Sequence, residues 1–299
     1  MFNYILSTLI SLLAIMSYSM NPTNPEQLKE KIRMEFAKQK GTFALAYKNL
    51  LTGEQILINE KINFHAASTM KTPVMIETYK QAKAGKFNIT DAVLVKNEFK
   101  SIVDDSAFSL NAGDDSDSEL YTKIGAKLPI YNLLYLMIIK SSNLATNIII
   151  ELVGAENVTQ TMRDMGAKDI QILRGVEDSK AFLKGLNNTT TAYDQMLIFN
   201  DIALGKTVNK KSADAMVKIL LDQAFNDKIP AKLPRDVKVA HKTGWIKGIN
   251  HDAGIVYLPD GRKYVLVLLS KELEDDKAGV NAMANVSEMI YDYFIGKKG

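Results

Sequence analysis

The chain has 299 residues with 37 Lys and Arg against 34 Asp and Glu, and its 46% apolar and 24% charged residues suit a globular protein with a full core. A net charge of only +3, with signs interspersed, excludes a nucleic-acid binder built on a clustered basic face. The absence of cysteine excludes disulfides, thiolate catalysis and zinc ribbons, and His65, His241 and His251 lack ligand spacing, so neither a metal nor a cofactor is expected.

Met1–Ser19 reads as an export signal. Its apolar run, Tyr4–Met16, is broken only by Ser7, Thr8 and Ser11. That is shorter than the roughly 20 residues of a bilayer span, and small residues follow at Ser17 and Ser19 as signal peptidase prefers. The expected mature chain begins near Met20, periplasmic or secreted, with no stable membrane span; a retained anchor is the other reading.

Glu26–Gln39 has helical spacing at Leu28, Ile32 and Phe36, ended by Gly41. Thr42–Lys48 and Gln55–Asn59 read as a hairpin turning at Leu51-Thr52-Gly53-Glu54. Helices are expected near 69–84, 130–140, 143–153, 157–165, 192–204 and 212–225. Strands return at Val237–Lys242, Ala253–Leu258 and Lys263–Ser270, the last two joined by Pro259-Asp260-Gly261, before a helix over Ala278–Phe294. This order predicts an α+β fold in one catalytic domain over 20–299: an antiparallel sheet built from both chain ends (about 24–65 and 206–299), with an inserted helical lobe (about 66–205). The acidic stretch Asp104–Glu119 offers Asp115, Asp117 and Glu119 but lacks the glycine and distal glutamate of a calcium loop. It is expected to be a solvated surface loop.

Three short motifs carry chemistry. Ser68 and Lys71 lie one turn apart on one helical face. Pro73 is tolerated only near a helix start, so the helix should begin near Ser68. Its hydroxyl then meets the unpaired N–H groups and positive dipole end of that helix, and a desolvated lysine serves as a base for a serine nucleophile. Ser141-Ser142-Asn143 follows the apolar run Leu133–Ile139 and either caps the next helix or fixes polar groups at a site. Lys242-Thr243-Gly244 suits a substrate carboxylate, with glycine admitting close approach to the backbone; a strand ending in a glycine bend is an equal reading.

Each motif alone is weak. In this order, and with Asn147 and the Thr189-Thr190-Thr191 cluster, they resemble the penicillin-recognising serine hydrolases, above all the class A β-lactamases, over nearly the whole mature chain. Thr191 and Asp194 also have capping-box spacing. The resemblance implies the β-lactamase/transpeptidase-like fold and an acyl-enzyme on Ser68, with Lys71 accepting or relaying the proton. Ser141 would protonate the departing lactam nitrogen, aided by Lys242, which also attracts the substrate carboxylate. Thr243 would bind that carboxylate and Asn143 the side-chain amide. The N–H groups of Ser68 and Trp245 would form the oxyanion hole; the Trp245 ring reads as strand packing. His251 falls near the family's usual carboxylate-binding cation, although a satisfied structural histidine is the plainer reading.

The chain departs from the family at two places. Ser142 stands where aspartate is usual, and the deacylating glutamate lacks its partner asparagine four residues on, because position 181 is alanine. Glu177 is the best-placed base, its alternative being a loop carboxylate paired with Arg174, and Asp178 is the next candidate. The expected substrate is a β-lactam or a peptidoglycan-like fragment, handled by a monomer as part of antibiotic resistance. A D-Ala-D-Ala peptidase or esterase of the same fold, a non-turnover penicillin-binding sensor, and a periplasmic protein without serine chemistry are the rivals.

Overall fold

The computed structural model describes residues 24–296; the apolar segment Met1–Ser19 lies outside them. Five antiparallel strands form the sheet: β1 (Thr42–Asn49), β2 (Gln55–Ile58), β3 (Lys238–Ile246), β4 (Ile249–Tyr257) and β5 (Lys263–Lys271), in the order β2-β1-β5-β4-β3. Both chain ends therefore build the sheet, as the element order predicts, and β3 is an edge strand.

Strand alternation divides the core between the two faces. Ala44 and Ala46 of β1 and Val265, Val267 and Leu269 of β5 join one apolar cluster. Phe43, Leu45 and Tyr47 with Tyr264, Leu266 and Leu268 join the other. Because both faces are covered, β5 reads as a continuous apolar run rather than an alternating one. On the second face lie helix α1 (Pro25–Phe36) and the C-terminal helix (Asp276–Gly296). Asn24 caps α1 by accepting from the Gln27 N–H at 3.0 Å, Pro25 occupies its first position, and the Phe36 ring stacks on Phe43 at 4.5 Å.

The inserted segment supplies α2 (Lys71–Lys83), α3 (Ile130–Ile139), α4 (Asn143–Val153), α5 (Ala155–Asp164), a short α6 (Ser179–Leu183), α7 (Ala192–Ala203) and α8 (Lys210–Leu221), of which α7 meets β1, β4 and β5 and α8 meets β3; the C-terminal helix is α9. Met196 and Phe199 of α7 belong to the cluster on the β1 and β5 face, so α7 packs on the sheet although the expected lobe boundary placed it with the insertion. Thr191 caps α7 by accepting from the Asp194 N–H at 3.1 Å. The Asp194 carboxylate does not reach back to Thr191 but accepts from the N–H groups of Asp169 and Ile170, both at 2.6 Å.

Two expectations change. Strand β3 does not stop at Lys242 but runs to Ile246, and β4 begins at Ile249 rather than Ala253, giving a longer hairpin. The acidic stretch is only partly solvated: Asp115 and Asp117 are buried. Asp115 Oδ2 accepts from the N–H groups of Asn143 and Leu144, both at 2.9 Å, and from the Tyr121 hydroxyl at 3.0 Å, while Asp117 pairs with Lys140 at 3.1 Å. These carboxylates satisfy a helix N-terminus and a cation, which is why they can be buried.

Candidate active site

Ser68 sits in a 3₁₀ turn, Ala67–Met70, that precedes α2; the α-helix starts at Lys71. Ala67 is held at φ 43°, a left-handed conformation unusual for a residue with a Cβ. His65 Nδ1 accepts from the Ala67 N–H at 3.0 Å, and the Thr69 hydroxyl donates to the Ala66 carbonyl at 2.6 Å. The turn buries Ala67, Thr69 and Met70 and leaves Ser68 half-buried at a cleft of about 990 Å³. Its N–H lies in the first turn, where backbone donors lack partners within the helix.

Behind Ser68 two fully buried lysines converge on one hydroxyl. Lys71 Nζ donates to the Ser141 carbonyl at 2.6 Å, to Ser141 Oγ at 3.2 Å and to Asn143 Oδ1 at 2.9 Å. Lys242 Nζ donates to the Thr243 carbonyl at 2.8 Å and to the same Ser141 Oγ at 3.1 Å. Burial pushes the Lys71 ammonium down to about 7, against the opposing pull of Asp115 and Glu177. Burial, then the neighbouring Lys71 charge, holds Lys242 well below the ordinary lysine range. With both lysines donating to it, Ser141 Oγ has its lone pairs engaged and its own proton left for the cleft. Ser141 reaches this place at φ 57°, between the end of α3 and the Ser142 cap of α4, whose hydroxyl accepts from the Ala145 N–H at 3.2 Å. The hydrogen bonds of Lys71 go to Ser141 and Asn143, and none to the Ser68 hydroxyl, consistent with catalytic contacts that tighten only when substrate binds.

The opposite wall is the loop 174–188. Asn147 fastens it by accepting from the Val176 N–H at 2.7 Å and donating to the Val176 carbonyl at 3.0 Å. Asn188 accepts from the Leu173 N–H at 2.8 Å and donates to the Arg174 carbonyl at 2.9 Å. Glu177 projects from this loop at φ 63° and its Oε1 accepts from Asn143 Nδ2 at 3.2 Å. Ala67, Ser141 and Glu177 thus carry left-handed backbone at one cleft, the kind of local strain that collects at functional sites. The alternative pairing of Glu177 with Arg174 is not what forms. The guanidinium donates to the Leu186 and Gly175 carbonyls and to Asn187 Oδ1. Asp178 is a poor base: it caps α6 and accepts from Ser101 Oγ and the Ile102 and Ala181 N–H groups. Burial raises its pKa, but these hydrogen bonds outweigh it and hold the carboxyl below its usual range.

On the sheet side, Thr243 and Trp245 of β3 line the cleft. Gly244 lies between them, and a Cβ there would stand 3.1 Å from the Ser68 nitrogen and 3.2 Å from Ala67 Cβ and from the Thr69 nitrogen. The glycine therefore admits the 67–70 turn, not a ligand as its motif suggests. The Trp245 ring is 62% exposed, so it is a cleft wall rather than strand packing. His251 is a buried structural residue: Nε2 lies 2.8 Å from the His65 carbonyl, Nδ1 accepts from the Ser270 N–H at 3.2 Å, and burial pushes it down to about 4.

A cation does reach this end of the cleft, from Lys228, which is buried with Nζ 2.9 Å from Asp227 Oδ1. Nothing in the local sequence marks Lys228 or His65, and the acidic stretch around Asp115 points to a solvated loop; only their tertiary placement brings them to the cleft. All eight expected site residues meet here, with Ser68, Ser141, Asn143, Glu177, Thr243 and Trp245 lining the cleft and Lys71 and Lys242 buried behind it. Among the described residues no cluster of His, Asp or Glu has metal-binding geometry, and no helix is long and apolar enough to cross a membrane.

A five-stranded sheet and helical lobe with this cleft between them is the β-lactamase/transpeptidase-like fold. A mutant of PBP-A, solved as its acyl-enzyme complex with penicillin-G, superimposes with a TM-score of 0.78 at 27% identity, covering 93% of this chain and 100% of that one. The chain belongs to the beta-lactamase enzyme family, whose profile matches residues 27–294. It is 27% identical over 238 residues to a β-lactamase of Bacteroides uniformis, covering 69% of this chain and 76% of the relative. It is 24% identical over 302 residues to the extended-spectrum β-lactamase PER-1 of Pseudomonas aeruginosa, covering 96% and 94%.

Proposed function

We propose that the protein is an exported, monomeric serine β-lactamase of the class A type, opening β-lactam rings through an acyl-enzyme on Ser68. The observation that carries this reading is Ser141 Oγ, held within 3.2 Å of Lys71 Nζ and 3.1 Å of Lys242 Nζ beside Ser68. Neutral Lys71 takes the Ser68 proton as Oγ attacks the lactam carbonyl, and the oxygen's developing charge falls on the Ser68 and Trp245 N–H groups. The lactam C–N bond then breaks as Ser141 gives its proton to the departing nitrogen and takes one from the Lys71 ammonium, which returns Lys71 to its neutral form. Lys242 and Lys228, with the Thr243 hydroxyl, hold the substrate carboxylate, and Asn143 holds the acyl amide. Glu177 then takes a proton from the water that attacks the ester, and the bond from the carbonyl carbon to Ser68 Oγ breaks as that oxygen regains a proton, leaving Glu177 ionised again. The apolar segment Tyr4–Met16 supports export.

Intact-protein mass spectrometry tests the two half-reactions. Penicillin should add its whole mass on the Ser68 peptide, and Ser68→Ala should abolish the adduct; labelling elsewhere sinks the assignment. Glu177→Gln should acylate at a comparable rate and then retain the penicilloyl mass, whereas clearance at the wild-type rate rules Glu177 out as the base. A wild-type adduct that never clears replaces the hydrolase with a penicillin-binding sensor. Hydrolysis of D-Ala-D-Ala peptides in preference to β-lactams replaces it with the peptidase.

A further inference from the structure

The sole tryptophan of the chain has an exposed ring on the wall of the cleft. Its backbone N–H is accounted for by the proposed oxyanion hole, but its indole is not. A tryptophan offers a large flat surface whose burial is worth far more than its cost in side-chain freedom, so an open one at a binding cleft invites an occupant.

Strand geometry decides which part of a substrate the ring meets. Residues two apart on a strand share a face at a spacing of roughly 7 Å. Val237 and Val239 belong to the apolar cluster beneath α1 and α9, while Ala240 belongs to the other. Thr243 and Trp245 therefore stand on the α9 side of β3, whereas Gly244 faces the Ser68 turn. The ring is thus the same-face neighbour of the threonine that holds the carboxylate, not of Asn143, which holds the acyl amide. Asp276, Lys277 and Val280 from the first turns of α9 line this end of the cleft. Asp276 Oδ1 accepts from Asn250 Nδ2 at 3.0 Å. Asn250 is the cross-strand partner of Trp245, so the platform and the facing helix are tied together.

We propose that the Trp245 indole is a stacking platform for a flat aryl or heteroaryl substituent on the ring carbon next to the substrate's carboxylate-bearing carbon. The enzyme then favours β-lactams so substituted. This rests on the proposed function and adds to it the substrate feature that the sheet-side wall selects.

The test compares two cephalosporins that differ only at that carbon, one bearing methyl and one bearing an aryl group attached by a carbon–carbon bond so that it is not expelled. The aryl-to-methyl ratio of kcat/KM should fall about 3- to 10-fold in Trp245→Ala, the range of an aromatic pair, and be largely kept in Trp245→Phe. In Ser68→Ala, saturating aryl cephalosporin, with binding followed by calorimetry, should quench the single tryptophan emission more than the methyl compound does. An unchanged ratio, or a ratio that rises because the ring was an obstruction, overturns the inference. Should Trp245→Ala fail to fold, the emission titration decides alone: bound aryl compound with unaltered emission overturns it. Failure of both compounds to label Ser68 overturns the proposed function and the inference together, whereas labelling by both with an unchanged ratio overturns the inference alone.

Discussion

Lys71 and Lys242 share the Ser141 hydroxyl, and burial disfavours the charge on both, the Lys71 ammonium being a second cause for Lys242. With its pKa lowered to about 7, Lys71 is neutral in a large fraction of molecules near pH 7, as a general base requires. A base acts in its deprotonated form, so the acylation rate should rise about tenfold per pH unit below about 7 and level off above it. Stopped-flow acylation between pH 5 and 9 reads this directly, and a flat profile would remove Lys71 from the role. Lys71→Arg, which stays protonated, should acylate about 100- to 10,000-fold more slowly at pH 8. The spacing of Ser68 and Lys71 is legible in sequence because one helical turn is a local fact. The depressed lysine, the Lys228 cation and the Asp115 cap are not, since each depends on burial among residues distant in the chain.

At the scale of elements, the proposed oxyanion hole requires β3 to pack closely on the 67–70 turn. The atoms nearest the absent Gly244 Cβ include the backbone nitrogens of Ser68 and Thr69, and these cannot rotate aside as a long side chain would. Gly244→Ala should push the strand and turn apart by a few tenths of an ångström and misplace both proposed oxyanion donors. We expect kcat/KM to fall about 10- to 100-fold, short of the 100- to 1,000-fold that follows outright loss of a donor. Thermal melting should shift by only a few degrees, so steady-state kinetics beside a melt separates a displaced site from a destabilised fold. Unchanged kinetics would show that the strand yields without cost. Long periodic elements such as α4 were legible to the residue, whereas the end of β3 was not. A glycine after Lys-Thr signals a bend as readily as a close approach, and only the turn seated against it distinguishes the two. The two-residue strand pairs, such as Phe64–His65 with Thr189–Thr190, are likewise too short to carry a pattern.

For the whole molecule, the buried lysines and tyrosines set opposite limits on stability as pH changes. Lys71 has its folded pKa lowered, and Lys242 well below the ordinary value, so between about 7 and the unfolded lysine value near 10.4 the unfolded chain holds protons that the native state has released. Stability must then rise with pH across that window, by up to about 1.4 kcal/mol per pH unit for each such proton, and be lost again as pH falls toward 7. Tyr47 and Tyr264 are buried with folded pKa values raised, so above about 10 the unfolded chain loses protons first and stability declines. His251, at about 4 when folded, releases its linkage below the window. The protein should therefore be most stable near pH 9 to 10 rather than at neutrality. Urea unfolding at half-unit steps from pH 7 to 10.5 measures the curve. Lys71→Met, which removes one titrating ammonium, should lower the slope between pH 7 and 9.5 by up to one proton's worth, whatever it does to the absolute stability. A wild-type curve flat or falling over that range, or a variant with an undiminished slope, would mean that Lys71 is protonated in the folded protein and that the base for Ser68 lies elsewhere.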